Sequence, residues 1–210
     1  MDKGCVIIET RIIPNLFEII QEGHLKFIPE DWGLTLFLSK ENKHLIDREK
    51  FNRNVEIIIL PYDNFSVHDY NILLTSHDFY EILDYKKFLI FQTDSSILRT
   101  GIEKYLEYDF IGAPLYHIDF PAMNGGFSLR DKKAMLECVW KFPYKGEQTD
   151  GNEDIYFCNT LRKLNGKLPT KEVAQTFSVE TIFGLGNLGC HAIEKWHSEE
   201  VCNKILNQYG

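Results

Sequence analysis

Chemistry is most plausible where the sequence turns abruptly from apolar to polar. Phe88, Leu89, Ile90 and Phe91 run without a break into Gln92, Thr93, Asp94 and Ser95. Apolar residues in succession, with no alternation, read as a strand buried on both faces of a sheet. At the carboxyl end of such a strand in an open α/β sheet, an aspartate can hold a cation against a phosphate. A second reading stands beside it: Asp94 or Ser95 caps a helix carrying Ile97, Leu98, Ile102, Tyr105 and Leu106. The stretch by itself leaves both open.

Three further places carry suitable residue types. Glu153 and Asp154 follow Gly151 and Asn152 at the start of an expected helix. There the helix dipole favours carboxylates and lowers their pKa, and a rigid ionised carboxylate can take a proton from a sugar hydroxyl. The same pair is also ordinary helix electrostatics. Asn124, Gly125 and Gly126 lack the bulk that would keep the backbone from a polar ligand, although Asn-Gly is equally a hairpin turn. His191 lies in the glycine-rich run GLGNLGCH, where a neutral imidazole could complete an oxygen-rich cation site opposite Asp94. For the other six histidines a surface or core role is the default.

The elements that must position these residues alternate. Cys5 to Glu9 reads as a strand ending in Glu9, Thr10 and Arg11, and Pro14 opens a helix that carries Leu16, Phe17, Ile19 and Ile20 before Gly23. Strands are expected again over 32–38 and 55–60, with a short helix over 47–53 and one or two helices over 70–83. The first half therefore reads βαβαβαβ, which points to a mostly parallel sheet covered by helices. Beyond it come a helix over 97–106, a strand over 108–114, a glycine turn and strand over 123–129, and an amphipathic helix over 131–140. A polar loop over 143–151, the helix from Asn152 to Leu164, an irregular segment over 177–182 and a final helix marked by Ile193, Trp196, Val201 and Ile205 complete the chain. No GxGxxG or P-loop sequence occurs, which moves the expectation toward metal-assisted phosphate binding.

Composition bounds the rest. The 210 residues, 44% of them hydrophobic and 13% aromatic, suit a single globular domain. A net charge of −8 without a basic block argues against nucleic acid as the main partner. Five widely spaced cysteines, an odd number with no CxxC pair, argue against a disulfide framework and a zinc ribbon and suit a reducing compartment. No segment approaches a membrane span, so a soluble, cytoplasmic protein is expected.

Taken in order, LIFQTDS, YDFIGAP, NGGFSLR, GNEDIYF, FSVET and GCHAIEKW resemble an uncharacterised family of GT-A-like glycosyltransferases of bacteria and large viruses. IIETR and the segment around Ser76–Tyr80 share that likeness. The order of acidic strand end, glycine turn and Glu-Asp helix is distantly similar to the β-1,4-galactosyltransferases. The resemblance implies a GT-A-like, Rossmann-like α/β fold in one domain, with a nucleotide-sugar-binding half over 1–113 and an acceptor and catalytic half over 114–210. It implies Thr10 and Arg11 near the base or ribose, and Gln92, Thr93, Asp94 and Ser95 at the donor. Asp94 and His191 would hold a divalent cation, Mn2+ or Mg2+. Asn124, Gly125 and Gly126 would sit against the donor sugar, Glu153 would bind acceptor hydroxyls, and Asp154 would be the base of an inverting transfer to a glycan or glycoconjugate.

The usual Asp-X-Asp signature is here Gln92-Thr93-Asp94. A neutral amide in place of the first acid implies a weaker metal site or one leaning on His191. Lack of a membrane anchor suggests soluble action or recruitment by a partner enzyme. Two other functions use the same residues: a hydrolase of nucleotide sugars or phosphoesters, which would pass the group to water, and a non-catalytic nucleotide-sugar or carbohydrate-binding domain.

Overall fold

The computed structural model describes residues 1–209. The chain forms a mixed α/β fold whose central sheet holds β1 (Lys3–Glu9), β2 (Gly33–Leu38), β3 (Val55–Ile59), β4 (Lys87–Phe91), β6 (Phe110–Ile111) and β7 (Phe127–Asp131). Their order across the sheet is β3-β2-β1-β4-β7-β6. The first four are parallel, β7 runs antiparallel to β4, and β6 antiparallel to β7. A second sheet joins β5 (Ser95–Ile97), β9 (Gly189–His191) and β8 (Ser178–Val179).

The helices are α1 (Leu16–Glu18), α2 (Val67–Leu74), α3 (His77–Ile82), α4 (Lys132–Lys141), α5 (Glu147–Asp150), α6 (Glu153–Leu164), α7 (Lys171–Phe177) and α8 (Glu199–Leu206). Among the described residues no helix is long and apolar enough to cross a membrane, and all five cysteines are free and buried.

The continuous apolar runs follow from burial on both faces. Along β1 and β4, Cys5, Ile7, Leu89 and Phe91 join one core, while Val6, Ile8, Phe88 and Ile90 join the other with Leu74, Phe79, Met135 and Phe157. A strand that is dry on both sides cannot alternate.

Several expected elements differ. Residues 97–106 are not one helix: β5 takes Ser95–Ile97, Gly101 turns the chain at φ 107, and only a 3-10 turn over Ile102–Tyr105 follows. Gly101 was the readable break. Asp94 and Ser95 consequently cap no helix. The helix expected after Pro14 shrinks to α1, continued by a π turn over Ile19–His24. The polar loop over 143–151 contains α5, and the irregular segment is preceded by α7, whose N-cap Thr170 accepts from Val173 N–H at 3.4 Å.

Strand order positions the site. Connections from β1 and β4 leave in opposite directions across the sheet, so a crevice opens beyond their carboxyl ends, where open α/β sheets bind ligands. Glu9, Thr10 and Arg11 leave β1 there, and Gln92, Thr93 and Asp94 leave β4.

Candidate functional site

That crevice is a cleft of about 330 Å³. It is lined by the ends of β1 and β4, α2, the start of α6, Asn124, Gly126 and Lys195. Thr10, Arg11, Gln92, Asp94, Asn124, Gly126, Glu153, Asp154 and His191 all line it. Thr93, Ser95 and Gly125 stand behind the wall. Thr93 Oγ1 donates to Glu9 and accepts from Arg11, Ser95 Oγ donates to the Gly126 carbonyl at 3.2 Å, and Gly125 N–H donates to Asp154.

At the β1 end, Glu9 is buried and grips Arg11 through two side-chain bonds of 2.9 and 2.6 Å. Asn42 donates to the carbonyls of Glu9 and Arg11, which fixes this turn from below. Thr10 is buried too, with Oγ1 accepting from Phe65 N–H at 3.0 Å.

The small sheet brings Asp94 and His191 together although they lie far apart in sequence. Ser95 pairs with His191 between β5 and β9, and Ala192 N–H donates to the Asp94 carbonyl at 2.9 Å. Ala192 occupies the left-handed region at φ 47, a conformation alanine adopts at a cost and one that clusters at functional sites. His191 Nε2 lies 3.2 Å from Asp94 Oδ1 and 3.0 Å from Gln92 Oε1, and Lys195 Nζ donates to Asp94 Oδ2 at 3.0 Å. Burial opposes charge on Asp94, but His191 and then Lys195 hold its carboxyl well below the usual carboxylate range. Burial likewise works against His191, yet Asp94 and Glu180 raise it to about 9. Two facing carboxylates thus favour the protonated ring where a neutral imidazole was expected, and ligation of a cation would have to displace that proton.

Gly126 packs directly under this ring, and a Cβ there would overlap His191 Nε2. Gly126→Ala is therefore expected to displace the imidazole and lower stability by about 1–3 kcal/mol, the usual cost of overpacking, as read by thermal unfolding. An alanine variant that melts with the native protein would contradict the packing.

Across the cleft, α6 begins at Glu153. Asn152 occupies its N-cap position without capping it, since its Oδ1 accepts from Asn71 Nδ2 at 3.2 Å. Asn71 supplies the missing acceptor from α2, taking Glu153 N–H at 3.0 Å. Glu153 is buried, and both its oxygens are held by Arg130, at 2.7 and 2.9 Å. Its carboxylate is thus paired with an internal partner while the residue lines the cleft. Arg130, itself fully buried, also donates to Ser128 Oγ and the Gly125 carbonyl and lies over the rings of Phe110 and Phe157.

Asp154 meets the cleft but is hemmed in by protein. Its Oδ2 accepts from Gly125 N–H at 3.0 Å and its Oδ1 from Ile155 N–H at 2.8 Å. Burial, followed by the neighbouring Glu153 charge, raises it to about 7, against those two hydrogen bonds and Arg130. The helix start was expected to lower this carboxyl; desolvation and a like charge outweigh the dipole. The two glycines are explained by this crowding. A Cβ on Gly125 would overlap Glu153 Oε1, so the turn is open to let the chain's own acids close on it.

A divalent cation is tested by the donors present. Asp94 carboxylate, Gln92 amide oxygen and His191 imidazole converge, and the far nitrogen of His191 faces Glu180 Oε1 at 3.6 Å. Nδ1 of His191 and Oε2 of Glu180 are both buried without a hydrogen-bond partner among the described residues. A carboxylate behind a ligating imidazole is the common supporting arrangement, and oxygen with one imidazole suits Mn2+ or Mg2+. No group of three or more His, Cys, Asp and Glu side chains able to hold a metal occurs among the described residues. Asp94, Gln92 and His191 would thus hold a cation only if a bound phosphate supplied its remaining ligands.

Sequence reasoning passed over Glu9, Tyr70, Asn71, Arg130, Glu180 and Lys195. Four of these stood inside motifs already singled out, IIETR, NGGFSLR, FSVET and GCHAIEKW, while Tyr70 and Asn71 reach the cleft through tertiary packing of α2.

Among solved structures, the apo-form glycosyltransferase GlyE of Streptococcus pneumoniae TIGR4 is similar at a TM-score of 0.56 and 11% identity. That match covers 95% of this chain and 55% of GlyE, so the chain spans little more than half the length of that protein. HddC from Yersinia pseudotuberculosis matches at a TM-score of 0.45 and 13% identity, over 71% of this chain and 84% of its own. The fold is thus like that of a glycosyltransferase. No curated protein matches the sequence. The family described as "Protein of unknown function (DUF5672)" matches residues 54–191, from β3 to the end of β9 and so through most of the cleft, and the chain belongs to that family.

Proposed function

We propose that the protein is a GT-A-like glycosyltransferase that moves a sugar from a nucleotide-sugar donor to a hydroxyl acceptor with inversion. One observation carries this reading: a carboxyl raised to about 7, Asp154, shares a single cleft with the cationic and anionic group Asp94, His191 and Lys195. A glycosyltransferase-like fold supports it.

The donor diphosphate lies on the β1 and β4 side, within reach of Lys195 and Arg11, and the base or ribose extends toward Thr10. Asp94 and His191 would hold a divalent cation, which would supply charge neutralisation for the departing diphosphate. Asp154 accepts the proton of the acceptor hydroxyl, whose oxygen forms a bond to the anomeric carbon. The bond from that carbon to the phosphate oxygen breaks, and its electron pair leaves with the nucleoside diphosphate. A base near pKa 7 is matched to proton transfer at neutral pH, and Gly125 N–H holds it in place.

The test is a thermal-shift titration with nucleoside diphosphates and nucleotide sugars, with and without Mn2+, on the native protein and Asp94→Ala. A ligand that binds only the native state raises its apparent stability, by about 2.7 kcal/mol at a hundredfold excess over Kd. One nucleotide class is expected to stabilise the native protein in a cation-dependent manner, and the variant is expected to lose that response. Absence of any nucleotide response in the native protein would overturn the reading.

A further inference from the structure

Tyr70 belongs to α2 and lines the cleft, yet its hydroxyl oxygen is buried and has no hydrogen-bond partner among the described residues. Buried hydroxyls are almost always paired, and an unpaired one invites an explanation. Helix slippage does not supply one, since α2 is fixed at both sides of this residue. Ser66 and Asp69 close a capping box at its start, and Asn71 ties it to Glu147, Asn152 and the Glu153 amide. The ring packs on the core that includes Tyr80 and Phe157. The oxygen is therefore held at a fixed point among Gln92, Glu153 and Asp154 of the cleft lining.

We propose that Tyr70 reads a hydroxyl group of the transferred sugar and so selects the donor. The inference rests on the transferase reading of the same cleft. In that reading the diphosphate lies toward Asp94 and the acceptor hydroxyl at Asp154, so the sugar ring occupies the space between them. Tyr70 lines the same cleft. The charges acting on its phenol are those of Glu153, Arg130 and Asp154, and the Gln92 amide lies near enough to influence it although the oxygen closes no hydrogen bond among the described residues. Gln92 Oε1 is already turned to His191. Burial, with Glu153 and Asp154, keeps the phenol well above its ordinary pKa, so it stays a neutral hydroxyl that can both donate and accept. A sugar hydroxyl has the same two capacities. A site built around such a bond discriminates strongly against an analogue lacking the group, because the protein's own hydroxyl is then left unpaired.

The experiment uses the full chain and Tyr70→Phe, which removes one oxygen. Both are assayed with UDP-, GDP- and dTDP-linked hexoses, and then with monodeoxy forms of whichever donor the native protein uses. In the native protein one monodeoxy donor is expected to lose about 10- to 100-fold in kcat/KM relative to its parent. Tyr70→Phe should lose a comparable factor on the parent donor and show no further loss on that same deoxy donor. Its melting temperature should equal or exceed the native value, since an unpaired buried hydroxyl has been removed, and its affinity for the nucleoside diphosphate alone should be unchanged. An active native protein whose Tyr70→Phe variant keeps the full discrimination overturns the inference and leaves the transferase reading standing. So does a variant whose affinity for the diphosphate alone falls tenfold, which would put the hydroxyl on the nucleotide. A native protein that transfers from none of these donors overturns both.

Discussion

Asp154→Asn is expected to slow sugar transfer by about 10²- to 10⁴-fold, the usual contribution of a positioned base, and at the same time to raise the melting temperature at pH 8. Asparagine keeps an oxygen for the N–H groups of Gly125 and Ile155, which bond Asp154 at 3.0 and 2.8 Å, so the start of α6 keeps its shape. What is lost is the capacity to take a proton. The gain in stability follows from linkage. Asp154 is raised to about 7 in the fold from an ordinary 3.8, so the native state holds its proton more tightly than the unfolded chain does. Below pH 3.8 both states are protonated and nothing is lost. Between about 4 and 7 the unfolded chain ionises freely while the native state resists, and stability falls as pH rises. Each pKa unit corresponds to 1.36 kcal/mol, so the accumulated loss above pH 7 is about 4 kcal/mol. The neutral amide removes it.

Native and variant melting curves should therefore nearly coincide at pH 4 and separate by pH 8, with the variant higher. Activity of the native protein moves the opposite way, with kcat/KM climbing through a midpoint near pH 7 as the base loses its proton. A folded Asp154→Asn protein that transfers at the native rate would sink the assignment, whatever its stability. A variant that is inactive but melts lower than the native protein at pH 8 would instead mean that the carboxyl is not raised.

The expectation that failed at this carboxyl shows where sequence reasoning runs out. That Glu153 and Asp154 start a helix was readable from Gly151, Asn152 and the apolar spacing of Phe157, Leu161 and Leu164, and the dipole of that helix is real. Its consequence for Asp154 was opposite to what the dipole alone gives, because the term that decides is burial against a neighbouring charge, and burial belongs to the tertiary structure. Strands β1, β2 and β4 were legible for the converse reason: their largely apolar runs record burial on both faces directly, whereas the edge strand β3 leaves Glu56 and Ile59 exposed. Between 97 and 106 the same signal misled. Ile97, Ile102 and Tyr105 are all buried, and apolar residues at such intervals read as a helix face even when a strand, a glycine turn and a 3-10 turn deliver them to the core. The neighbourhood of Asp94 and His191 was expected from their residue types, but the contact itself depends on β5 pairing with β9. No local pattern encodes a pairing between segments so far apart. Thr170, by contrast, was a readable helix start that was passed over.

Glu153→Ala is expected to cost about 3–5 kcal/mol of stability, the penalty for leaving a buried charge without its partner. Against a total of about 5–15 kcal/mol for a folded domain, that is enough to unfold much of the protein at elevated temperature. Among the described residues Arg130 forms no ion pair with another carboxylate. Its remaining bonds are to Ser128 Oγ and the Gly125 carbonyl, and its surroundings are the rings of Phe110 and Phe157. Glu153, although it opposes the cost of burying the guanidinium and holds Arg130 well above its ordinary pKa, is not needed if the guanidinium is absent. Replacing both with methionine, of similar length and free of charge, should therefore restore most of the lost stability. The double variant separates the two roles open to Glu153. If the carboxylate binds acceptor hydroxyls, the restored protein will show a raised acceptor KM with kcat little changed. If it is Arg130's partner and acts by holding the Gly125 turn against Asp154, acceptor KM will be near native and kcat will fall, since Asp154 loses alignment and not substrate. The bidentate contact with Arg130 favours the second outcome. A Glu153→Ala protein as stable as the native one would show that the pair does not hold this turn at all.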